Sequence, residues 1–117
     1  MREILFRGKT VCDGDWIYGG ITWNPSKKKV FIHTEWDEGE VIPETVGQYT
    51  GLKDKNGKKV FEGDILKGLY SNGNAEVKMI NGSWVGYAGK GWTDIGYVVE
   101  RVEVIGNVHD NPELLEE

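Results

Sequence analysis

The sequence predicts an all-β protein, a small and strongly bent antiparallel sheet, and three observations carry that reading. Glycine occurs 17 times in 117 residues, about twice its usual share of ~7%. Five Trp, five Tyr and three Phe supply the large rings that pleated surfaces pack well. Short runs of alternating polarity are separated by Asn-Gly pairs, and helical periodicity is missing until the last few residues.

Taken in order, Glu3 to Arg7 reads as a strand, and Trp16 to Trp23 as a hairpin around Gly19-Gly20. Val30 to Thr34 is a further strand, bounded by the Lys27-Lys28-Lys29 run and by the acidic stretch from Glu35 to Glu40, read as a solvated loop. Asn56-Gly57, Asn72-Gly73 and Asn81-Gly82 each predict a type I′ turn, because Asn and Gly tolerate the two positive φ values whose twist matches paired strands. Within Val60 to Tyr70, Gly63 marks a bulge or corner. Ala75, Val77 and Met79 alternate with Glu76 and Lys78, the period of a sheet with one buried face, and Ser83 to Ala88 returns beside them. Ile95 to Val108 reads as one long strand bent at Gly106. Asp110 to Glu117 places Asn111, Pro112 and Glu113 in the order that starts a short terminal helix.

Composition bounds the function. Hydrophobic residues make up 38% and charged ones 28%, too apolar for a disordered chain and too interrupted for a membrane span. The length suits one domain. A single cysteine, Cys12, cannot form an intrachain disulfide, and the opening residues turn charged too soon for a secretion signal, so a cytoplasmic setting is expected.

No constellation specifies a reaction. His33 and His109 are the only histidines, and with Cys12 they do not stand at zinc-ligand spacing. The serines at 26, 71 and 83 lack the context of a nucleophile elbow. Glu35, Asp37, Glu38 and Glu40 lack the alternation and central glycine of a calcium loop. Gly86 to Gly91 resembles a phosphate loop in composition but continues into strand rather than helix, so it reads as a hairpin turn. The expectation is a protein without catalysis, cofactor or metal, acting through its surface.

Two surfaces compete. Trp16, Tyr18, Trp23, Trp84 and Trp92 are candidate partner-binding residues, since a domain this small cannot hide every large ring; the alternative is that they are core or cross-strand pairs. Lys27, Lys28 and Lys29 beside Trp23 and Phe31, with Lys53, Lys55, Lys58 and Lys59 around Asn56-Gly57, could instead track a nucleic-acid backbone. Against that stands a net charge of −5. Lysines flanking hairpins also serve simply to blunt sheet edges.

The stretch Val46-Gly47-Gln48-Tyr49-Thr50-Gly51-Leu52-Lys53-Asp54-Lys55-Asn56-Gly57-Lys58-Lys59-Val60-Phe61-Glu62-Gly63-Asp64-Ile65 resembles the YopX family of bacteriophage and prophage proteins. Arg2 to Gly8, Gly14 to Gly19 and Val104 to Leu115 agree with it, while Lys67 to Glu103 is more divergent. The resemblance implies a single domain over 1–117, with an N-terminal β segment at about 1–45 and a barrel-like, SH3-like portion at about 46–110. It also implies a phage or prophage protein of the bacterial cytoplasm, and it brings no activity. The expected role is a binding or assembly module, self-associating or joined to a host or phage protein, with nucleic-acid binding through the lysine-rich turns as the alternative and, third, an enzyme whose site is assembled from distant loops, for which His33 beside an acid would be the sign.

Overall fold

Glycine turns and alternating polarity do produce strands along the whole chain. The computed structural model describes residues 4–70, 73–89 and 91–115, and among them eleven strands and four short 3-10 segments. The chain divides into two units, Met1–Tyr49 and Thr50–Glu117. Among the described residues no helix is long and apolar enough to cross a membrane.

In the first unit β1 (Phe6–Lys9), β2 (Trp16–Asn24), β3 (Lys29–His33) and β4 (Glu38–Val41) are followed by a 3-10 turn at Pro43–Thr45 and by β5 (Gly47–Lys53), which leaves the unit at Tyr49. All pairings are antiparallel, in the order β4-β3-β2-β1-β5. Val30, Ile32 and Val41 form the buried cluster, with Phe6, Ile17 and Val46 packed against it. Gly8 makes room for it, since a Cβ there would come within 3.0 Å of Val41.

Two expectations for this unit are corrected. Trp16 to Trp23 is not a hairpin around Gly19-Gly20 but part of one continuous strand. Its glycine serves proximity rather than reversal: a Cβ on Gly19 would fall on the His33 carbonyl oxygen and 2.7 Å from the carbonyl carbon. The acidic stretch is likewise only half a loop. Thr34 closes the turn, its N–H donating to the Asp37 carbonyl at 2.7 Å and its hydroxyl oxygen accepting from the Asp37 N–H at 2.9 Å. From Glu38 the chain is strand, because Gly39 and Val41 face Ile32 and Val30 across the register while Glu38 and Glu40 take the other face.

The second unit holds the rest of β5, β6 (Lys59–Phe61), β7 (Asp64–Lys67), β8 (Ala75–Ile80), β9 (Ser83–Ala88), β10 (Gly91–Asp94) and β11 (Glu103–Asn107). The last five strands form a sheet in the order β10-β9-β8-β7-β11, and β6 pairs with β5. Val60, Leu66, Val77, Ile95, Val99, Val102 and Val104 are its buried cluster.

Of the three Asn-Gly pairs, Asn81-Gly82 is the type I′ turn the sequence predicts, with φ of 51° and 80° between Ile80 and Ser83. Asn56-Gly57 differs. Gly57 alone has positive φ, at 80°, and its N–H donates to the Asp54 carbonyl at 2.9 Å, so the turn is type I with glycine closing it in the left-handed region. Asn72 lies outside the described residues. The corner at Gly63 is present, its φ at 90° and the Asp64 carboxylate accepting from the Phe61 N–H at 2.7 Å.

Ile95 to Val108 is not one strand. Two 3-10 turns, Ile95–Tyr97 and Val99–Arg101, precede β11, and the buried side chains are Ile95, Val99 and Val102, at near-helical spacing. A single strand would set Val98 on one face with Val102 and Val104, but Val98 is only half-buried. The terminal helix exists as a 3-10 segment at Pro112–Leu115.

The sheets are open rather than closed into a barrel. In the five-stranded sheet β10 and β11 are both edges, and the outer side of β11 is taken by a loop: Val104 N–H donates to the Asp54 carboxylate at 2.9 Å, and Lys55 N–H to the Val102 carbonyl at 3.0 Å. Those backbone groups have no strand to meet, because side chain and loop already satisfy them.

Candidate functional site

The aromatic residues singled out from sequence fall into different environments. On β1 and β2 the Arg7 guanidinium stacks 4.7 Å from the Trp16 ring centroid and Lys9 Nζ lies 5.7 Å from it, so this half-buried ring is already faced by cations. Tyr18 is exposed opposite Arg7. Trp23 is 53% exposed near the end of β2, on the same face as Ile21, which is 39% exposed. Trp84 packs against the buried cluster of the second unit, its indole N–H enclosed without an acceptor, while Trp92 stands exposed on the edge strand β10.

Sequence reasoning missed the most exposed tryptophan. Trp36 is 88% exposed at the tip of the β3–β4 turn, held there by the Thr34 and Asp37 hydrogen bonds described above. A lone ring inside an acidic run was the available signal, since nothing apolar in that stretch could cover it. Tyr97, at 89%, is its counterpart in the second unit.

The lysines separate between the units. Lys27 and Lys28 are exposed in the β2–β3 turn, where Lys28 adopts a φ of 55°, and Lys29 pairs with Glu40 at 3.7 Å. Lys53, Lys55 and Lys58 are exposed around the β5–β6 turn, Lys59 is half-buried, and Lys55 pairs with Glu103 at 3.8 Å. Each group is a local basic turn with part of its charge already met by a carboxylate.

Asp54 organises the second turn. Although it is buried, one carboxylate oxygen accepts from the N–H groups of Asn56 and Lys58, both at 2.9 Å, and the other from Val104. Burial by itself would raise its pKa. The backbone donors of Val104, Lys58 and Asn56 and the Lys58 charge outweigh that and hold the carboxyl below its ordinary value. Asp13 is also held low, first by the Thr10 hydroxyl and then by the Asp15 N–H.

One polar chain crosses three strands. Thr22 Oγ1 bonds His33 Nε2, and His33 Nδ1 meets Glu38 Oε2 at 2.7 Å. A hydroxyl, an imidazole and a carboxylate in this order could serve acyl transfer. His33 and Glu38 are both exposed, however, and water reaches the pair, so its evident work is to lock β2, β3 and β4 together. Among the described residues no cluster of three or more His, Cys, Asp or Glu side chains could hold a metal ion, and Cys12 is exposed.

A family model described as YopX protein matches residues 6–116. The chain belongs to the YopX family. Over 99% of its length this YopX chain is also similar to the whole of the crystal structure of protein EF1440 from Enterococcus faecalis, with a TM-score of 0.63 and 23% identity, a likeness of fold. An oxysterol-binding protein homolog of Schizosaccharomyces pombe is 33% identical over 82 residues, 67% of this chain. The match spans only 9% of that protein's length.

The rings of Trp23, Trp36, Trp92 and Tyr97 are presented on strands or hydrogen-bonded turns, which keep the ordering cost of a contact low.

Proposed function

We propose that this YopX protein is a non-catalytic binding or assembly module that self-associates, acting in the bacterial cytoplasm in a phage or prophage setting. The supporting observation is the pairing of Ile21 and Trp23, exposed together on one face of β2. Large rings on a fixed backbone are the usual anchors of protein interfaces. Light scattering across a concentration series tests the reading. Mass that rises with concentration at both low and high salt is expected, and a monomer throughout would overturn self-association.

The second reading, nucleic-acid binding, is favoured by the exposed Lys27 and Lys28 in the β2–β3 turn and the exposed Lys53 and Lys58 on either side of the β5–β6 turn. It makes a different prediction for salt. Each phosphate contact to a single strand contributes about 0.7 to the log–log slope of affinity against salt. Titration of a labelled single-stranded oligonucleotide at several salt concentrations decides between the two, since an aromatic protein interface responds little.

A further inference from the structure

We propose that Asn81 is a site of spontaneous covalent modification, where water converts the asparagine to aspartate and isoaspartate and so ages the β8–β9 hairpin. The reaction needs an asparagine amide, a following backbone N–H that nothing holds, and a residue at that nitrogen with no side chain to block the approach.

Among the described residues three dipeptides have the composition for such chemistry: Asp13-Gly14, Asn56-Gly57 and Asn81-Gly82. Two of them are tied down. Gly14 N–H donates to the Thr10 carbonyl at 3.0 Å, and the Asp13 carboxylate accepts from the Thr10 hydroxyl and the Asp15 N–H. Gly57 N–H donates to the Asp54 carbonyl at 2.9 Å, and the N–H groups of Asn56 and Lys58 beside it donate to the Asp54 carboxylate. Asn24 and Asn111 precede proline, which has no N–H to react.

Asn81-Gly82 is held by none of these devices. Both residues are exposed, and a Cβ on Gly82 would meet nothing within 4 Å. Among the described residues neither the Asn81 amide nor the Gly82 N–H has a hydrogen-bond partner. Ring closure requires the peptide between the two residues to rotate, so the turn must open first. At Asn81 that opening gives up only the end pair of the hairpin, Ile80 with Ser83. At Asn56 it gives up three bonds, two of them to a carboxylate and therefore stronger than neutral ones.

In the first step the Gly82 nitrogen loses its proton to water and attacks Asn81 Cγ. The new C–N bond closes a cyclic imide while the bond from Cγ to the amide nitrogen breaks, and that nitrogen departs as ammonia, taking up a proton in place of the one Gly82 lost. Water then opens the ring. Addition at Cγ restores the main chain and leaves aspartate; addition at the Asn81 carbonyl carbon leaves isoaspartate, with the main chain running through the side chain. The sum is one water consumed, one ammonia released and one carboxylate gained. Isoaspartate adds a methylene to a two-residue loop whose twist matches its strands, which loosens the pairing from the Ile80–Ser83 end inward to Met79 and Trp84.

The test ages the folded wild-type protein in mildly alkaline buffer made with heavy-oxygen water, so that conversions during ageing carry a label, and follows Asn56 and Asn81 by peptide mass mapping. Asn81 is expected to convert roughly ten-fold or more faster than Asn56 in the folded chain, and at the same rate in urea, where the two dipeptides lose their different surroundings. Asn72 falls on a separate peptide and enters neither comparison. Chains bearing isoaspartate, separated by ion exchange, should melt below fresh protein, while Asn81→Asp, with the same added charge and an unaltered main chain, should melt closer to it. Equal rates at Asn56 and Asn81 in the folded protein overturn the proposal, as does an Asn81 that converts in urea and stays intact in the folded chain. Isoaspartate chains that melt with the fresh protein overturn the ageing of the hairpin.

Discussion

Asp54→Asn isolates what a buried carboxylate contributes to this fold. The amide oxygen of asparagine can replace the oxygen that accepts from Asn56 and Lys58, but the amide nitrogen then faces the Val104 N–H, donor against donor. Leaving one buried N–H unsatisfied costs about 1–3 kcal/mol, and removing the charge from two further bonds adds about 1 kcal/mol, so ~3 kcal/mol is expected at neutral pH. For a chain of this size that corresponds to a fall in Tm of about 12 °C. Because the folded pKa of Asp54 lies below its ordinary value of 3.8, its contribution is fully present above that value and is lost as pH falls through the lowered one. Melting curves of both proteins should therefore converge as the pH drops well below 3.8. A gap that stays constant down to the most acidic folded condition would refute the assignment of the stability to the ionised carboxylate.

Gly19→Ala places a methyl group on the His33 backbone, which cannot swing aside as a side chain can, and should cost about 3 kcal/mol or prevent folding, read by urea denaturation. Gly82→Ala, at a φ of 80° with open space around the new Cβ, should cost only about 1 kcal/mol, so the pair separates steric from conformational demand. Trp84→Phe removes the enclosed indole N–H with a modest loss of volume and should be within about 1 kcal/mol of wild type; a loss of several would mean that the nitrogen has an acceptor.

Local chemistry was legible in the sequence, and long-range chemistry was not. Asn81-Gly82 and the alternation of Ala75 and Val77 with Glu76 and Lys78 give the hairpin, because turn preference and side-chain period are properties of adjacent residues, although Met79, on the same parity, is exposed near the turn. Asn56-Gly57 has the same dipeptide and a different turn, since Asp54 requires a wider loop to reach Val104, a partner 50 residues away. Ile95 to Val108 reads as a strand because a 3-10 turn and a strand both bury short apolar runs, and only Asp94, which accepts from the Gly96 N–H, marks the difference locally. At the candidate surface, the exposure of Trp23 and the enclosure of Trp84 depend on which strands lie beside them, which a single run of residues does not carry. Trp36 was readable in retrospect, being a ring with only acidic neighbours.

The Asp54 to Val104 hydrogen bond also sets an order of events during synthesis. Every strand pairing of the first unit lies within the first 49 residues, so these contacts can form as soon as that length has emerged from the ribosome. The second unit must wait: β7 receives β11 from near the far end of its span, and the β5–β6 turn is not satisfied until Val104 arrives. Vectorial synthesis thus leaves β7 and the Asp54 loop without their final partners until the last strand is made, and that interval is when an unpaired strand is most exposed to mispairing with another nascent chain.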